Sequence, residues 1–170
     1  MEQHRDSLGT EPSGDGDLTA LAWVHEELRR SLDTAHKSLR RLLREVEQRS
    51  GGVLMEGGSS PAVHQARTLV HQSVGVLEMI GLDAPARSLG ASERLLQRLS
   101  AGPSAIDPAL VAAVERMSFA VLDYLGRLLA GQAVSPLALF PAYRETLLLA
   151  GAERVHPADL WSAPDPAPLA

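Results

Sequence analysis

The side chains in this chain that could do chemistry are mainly its six histidines, because it has no cysteine. Lack of cysteine excludes disulfides, thiol catalysis and thiolate zinc sites. His71 stands out among the histidines. It lies within PAVHQARTLVHQSVGVLEMIGL, residues 61–82. In that segment Val63, Ala66, Leu69, Val70, Val74, Leu77 and Ile80 recur at helical spacing and form the expected buried stripe. On the same wheel His71 falls roughly 140° from the centre of the stripe. It should therefore point to solvent from the middle of a helix. Gly75 follows one turn later on the same face, where it costs a helix roughly 1 kcal/mol relative to alanine. Its use there would be to clear bulk beside the imidazole, so that another protein can approach the ring. Phosphoryl transfer needs little more than such positioning and charge neutralisation. A neutral imidazole suits that role.

The other chemical groups form no constellation by spacing. His64 lies seven residues before His71, too far for both to hold one ion on a helix, and reads as a surface side chain. His25, beside Glu26 and Glu27, lacks the second histidine of a metalloprotease motif. Ser73 and Ser118 have no base near them in sequence, and no nucleophile-elbow motif is present. No glycine-rich phosphate loop follows a strand. Glu78 and Glu93 read as surface charges. The expectation is therefore no bound metal and no cofactor.

The elements that must position His71 are helices. The chain is 45% hydrophobic and only 4% aromatic, which favours a Leu/Val/Ala core of packed helices. Ser60-Pro61, Asp107-Pro108 and Ser135-Pro136 have the form of helix starts, with weaker versions at Asp17 and Asp83. Gly51, Gly81, Gly102, Gly131 and Gly151 sit where left-handed caps would close helices. The predicted helices are 18–48, 61–80, 84–100, 108–130 and 137–150, with Pro141 restarting the last one after a short turn. No segment alternates with period two, so no strand is expected. The fold class is all-α, an antiparallel bundle of four to five helices over residues 17–151. Residues 1–16 are expected to be disordered, and the connection 50–60 mobile. Residues 152–170 read as a tail or linker, packed in part at most, of a chain cut from something longer.

The first helix carries the clearest stripe, from Leu18 through Leu21, Val24, Leu28, Leu32, Ala35, Leu39 and Leu42 to Val46. Trp23 lies on the opposite side. Two explanations stay open: the tail, through Leu160 or Trp161, folds over it, or it contacts a partner. Net charge is -5, against nucleic-acid binding, and Arg40, Arg41 and Arg44 share their helix with Glu45 and Glu47 as a solvated face. No signal peptide and no membrane-length apolar run are present, so a cytoplasmic protein without membrane insertion is expected.

The string His71-Gln72-Ser73-Val74-Gly75, with Ile80-Gly81-Leu82 closing the segment, resembles the signature of histidine-phosphotransfer (Hpt) domains. Scattered residues over most of the chain are similar to one group within that family. These are Leu21-Ala22-Trp23-Val24, Glu27-Leu28, Leu77-Glu78-Met79, Tyr124-Leu125, Leu137-Ala138-Leu139-Phe140-Pro141 and Asp159-Leu160. The group is the N-terminal domain of CheA-like hybrid histidine kinases of type IV pilus chemosensory systems (ChpA or PilL type), with the related twitching-motility scaffold FimL. The resemblance implies a four-helix core and a chemosensory phosphorelay role. His71 would be the phosphoryl acceptor, and Gly75, Arg67, Gln72 and Trp23 binding residues. The implied partners are a receiver domain, a kinase catalytic domain, or a scaffold protein. Such a domain is not a catalyst by itself, and the magnesium belongs to its partners. The family usually has lysine three residues after its histidine, and here that position is Val74. Arg67, one turn before His71, could supply the charge instead. The alternative is a degenerate module that binds a receiver or scaffold without phosphotransfer.

Overall fold

A computed structural model describes residues 14–49, 60–101 and 106–161. Among these residues the chain is all-α, with no strand. The five helices are α1 (Gly14–Gln48), α2 (Pro61–Met79), α3 (Asp83–Ser100), α4 (Pro108–Leu129) and α5 (Phe140–Leu149). Short 3₁₀ turns at Pro136–Leu139 and Pro157–Leu160 precede and follow α5.

The punctuation works largely as the sequence reads. Asp107 accepts a hydrogen bond from the Ala109 N–H at 2.7 Å, and Pro108 opens α4. Pro61 opens α2 in the same way, although the Ser60 side chain makes no cap bond. Ser135 caps the 3₁₀ turn rather than α5, which starts at Phe140 with Pro141 in its first turn. Asp17 lies inside α1 rather than at its start. Gly81, Gly131 and Gly151 have φ of 76°, 73° and 94°, the left-handed geometry that ends a helix most readily at glycine. Gly51, Gly102, the 50–59 connection, residues 1–13 and residues 162–170 lie outside the described residues.

The helices form a four-helix bundle in which α1 packs on α2 and α4, and α3 packs on α2 and α4; α5 covers the seam between α3 and α4. Within the four-helix bundle each neighbour runs antiparallel, and α5 runs alongside α3 in the same direction. The tight turn at Gly81 reverses α2 into α3. His25 reaches Leu122 and His36 reaches Ser118, so α4 descends as α1 rises. The core is leucine-rich: Leu28, Leu32, Leu39, Leu77, Leu89, Leu96 and Leu125 are buried, joined by Met117 and small residues such as Ala35 and Ala66. Each such leucine contributes roughly 1.5–3 kcal/mol by leaving water.

The expected stripes need two corrections at their ends. Leu18 is 47% exposed, because the first turns of α1 reach past the bundle and residues 16–20 are all exposed. Ile80 is 37% exposed, because α2 ends at Met79 and Ile80 already belongs to the turn. Inside α2 a buried Ser73 joins the stripe; its hydroxyl donates to the Leu69 carbonyl at 2.9 Å, which lets a polar side chain pass as core. The tail also packs on the bundle: Leu160 is fully buried, and Arg87 on α3 donates to the Asp159 carbonyl.

Candidate functional site

His71 sits mid-way along α2 with its side chain 72% exposed. Its Nδ1 lies 2.9 Å from Glu93 Oε1 on α3. This pairing follows from the hairpin. Each residue is eleven positions from Leu82, so the antiparallel helices bring them level. Glu93 is only 22% exposed, held against the α2 flank. A carboxylate can only accept, so the Nδ1 nitrogen carries the hydrogen. In the neutral imidazole, this tautomer leaves the Nε2 lone pair on an exposed ring. Glu93 therefore does more than the surface charge that its sequence position suggests.

Arg67 and His64 lie one and two turns before His71. They line a shallow cleft of about 230 Å³ with Thr68, His71 and Glu93. Arg67 is thus brought to the site as expected, and His64 joins it. Gln72 is exposed beside the histidine. A methyl group placed on Gly75 would meet no atom within 4 Å, so this position is open on the chain's own side. Val74 is half-buried and supplies no charge where the resembled family has lysine. It lines, with Glu78, Glu93, Gly90, Arg94 and Tyr143, a second groove along α3.

Trp23 belongs to a different place. It is 64% exposed, and in the described part of the tail Leu160 packs instead beside the α2–α3 turn and Tyr124. Ser38 on α1 bonds Gln65 on α2, so fifteen residues back on α1 and fifteen on along α2, Trp23 comes level with exposed Ile80. That is nine residues, about 14 Å, along α2 from His71. His71 faces α3, whereas Trp23 stands on α1. The two do not form one site.

Ser118 does have a base, 82 residues away in the chain: His36 Nε2 is 2.8 Å from its Oγ. The Ser118 hydroxyl already donates to the Val114 carbonyl, and both side chains are buried. The pair ties α1 to α4 and cannot meet a substrate. Burial pushes the His36 pKa down, partly opposed by Glu115. Arg40 binds Glu115 across the same seam, and its hydrogen bonds hold that carboxyl below its usual range. Arg41 pairs with Glu45 along α1. The arginine cluster of α1 is thus largely engaged within the chain.

Among the described residues, no cluster of three metal-ligating side chains occurs and no helix is long and apolar enough to cross a membrane. No protein-family model, curated protein or solved structure matches the chain.

Proposed function

We propose that this chain is an Hpt-like domain of a chemosensory phosphorelay controlling type IV pilus motility, and that His71 Nε2 is its phosphoryl acceptor. The observation that carries the reading is the His71–Glu93 pair: an exposed mid-helix imidazole whose Nδ1–H is held by a carboxylate at 2.9 Å. The hydrogen bond fixes the tautomer that leaves Nε2 nucleophilic. It also orients the ring, as a carboxylate does beside the histidine of an acyl-transfer triad.

In the step itself the Nε2 lone pair attacks phosphorus. The donor is an acyl phosphate on a receiver aspartate, or ATP held by a kinase catalytic domain. The bond from phosphorus to the donor oxygen breaks, and its electron pair stays on that oxygen. The phosphorylated ring is cationic, with its proton on Nδ1, and Glu93 offsets that charge. The reverse attack by an aspartate carboxylate passes the group on. Open space at Gly75 and the exposed Gln72 suit the approach of a partner to within bonding distance.

A second reading rests on Val74. Without a cation there, the domain would dock a receiver or scaffold and transfer nothing. The two readings part in one experiment. The purified chain is mixed with a radiolabelled phospho-donor kinase or receiver from the same organism. Acid-labile label on the natural chain that is lost in His71→Gln supports transfer. A fall of about tenfold or more in labelling rate is expected for Glu93→Gln, which loses the charge of the hydrogen bond that orients the ring. Absence of label, together with measurable receiver binding that survives His71→Gln, supports the docking module.

A further inference from the structure

We propose that the cleft on the N-terminal side of His71, walled by His64, Arg67, Thr68 and Glu93, is the oxyanion site for the phosphoryl group, with Arg67 as its cation. The proposal rests on the reading of His71 as acceptor, and it places the neutralising charge on the opposite side of the histidine from the usual lysine position.

Three observations carry it. On the C-terminal side of His71, α2 itself offers an apolar Val74 and then the exposed carboxylate of Glu78, which would repel a dianion; the Arg94 of α3 that lines the groove there shares it with that carboxylate. On the N-terminal side Arg67 and the His64 imidazole line the same cleft as the His71 ring. Arg67 is also the one half-buried arginine among the described residues; the others are exposed. Its neighbours account for no partner. The nearest cleft carboxylate, Glu93, is committed to His71 Nδ1, and the Thr68 hydroxyl donates back to the His64 carbonyl at 3.0 Å. By contrast, Arg40 and Arg116 hold Glu115 and Glu145 across helix seams, and Arg87 and Arg98 hold the Asp159 and Leu149 carbonyls.

A guanidinium is suited to this place. Its planar fork binds two phosphoryl oxygens at once, and it stays charged at every working pH. An imidazole N–H of His64 adds one more donor. Thr68 contributes wall and no donated hydrogen. Glu93 lies at the α3 edge, where it serves the other ring nitrogen.

The test compares label uptake in the natural chain with Arg67→Gln, Arg67→Lys, His64→Gln and the double variant Arg67→Gln/Val74→Lys. Arg67→Gln is expected to slow uptake at least tenfold, and Arg67→Lys to retain part of the rate. Val74→Lys should restore most of it, by returning a cation from the other side. Thermal melting of each variant should match the natural chain, which separates loss of the site from loss of the fold. A parallel titration with inorganic phosphate, read by NMR at the His64 and His71 ring protons, requires no transfer. Label uptake that ignores Arg67→Gln overturns the oxyanion site and leaves His71 as acceptor. Phosphate-induced shifts that depend on Arg67, in a chain that takes no label, keep the site and overturn the acceptor reading. Neither label nor Arg67-dependent shifts would overturn both.

Discussion

At Gly75 the helix gives up roughly 1 kcal/mol relative to alanine, and no atom of the chain occupies the space that a methyl would take. Gly75→Ala is therefore expected to raise the melting temperature by about 2–4 °C. Gly75→Leu, which puts a branched side chain beside His71, should slow phosphotransfer at least tenfold without loss of stability. Equal effects of both variants on transfer would show that bulk at this position is irrelevant. His36 carries a prediction of another kind. Burial lowers its pKa in the folded chain, with Glu115 and Asp33 pulling it up and Arg40 pushing it down. A depressed histidine favours the folded state fully above its unfolded value of about 6.5. That stability is lost as pH falls through the lower folded value, because the unfolded chain then binds the extra proton. Urea midpoints measured from pH 7.5 down to 5 should fall, and His36→Gln should flatten the part of the slope that begins near 6.5.

The helices themselves were legible because their ends are written in local chemistry. Pro61 and Pro108 need only their own φ and missing N–H to open a helix, and Gly81, Gly131 and Gly151 need only their own freedom at positive φ. Side-chain partners were not legible, since they depend on which helices lie side by side. Glu93 meets His71 across 22 residues and His36 meets Ser118 across 82. No periodicity within one helix reports either pairing. Gly151 links the two levels. Its φ is 94°, and a Cβ there would lie 2.7 Å from the Arg98 guanidinium, which donates to the Leu149 carbonyl at the end of α5. Gly151→Ala meets both backbone strain and this cap. It should cost about 1–3 kcal/mol, read as a lowered melting temperature. If the melting temperature were unchanged, the last turn of α5 would not be held by Arg98.

For the whole molecule, the bundle was foreseeable from five amphipathic segments, each with a stripe to bury. The fate of the tail was not, since the bulk of Leu160 fills a gap beside the α2–α3 turn that only the assembled helices create. The same assembly leaves α1 longer than the partners against which it packs. Residues 16–20 are exposed helix outside the buried core, and a short helical segment with little burial is marginal in water. Two regimes of backbone protection should therefore coexist along one unbroken helix. Amide hydrogens at 16–20 should exchange with deuterium through local fraying, almost independently of denaturant. Those from Leu28 to Leu39 should exchange only when the bundle opens. Uniform slow exchange along all of α1 would mean that its first turns are held by contacts and do not fray.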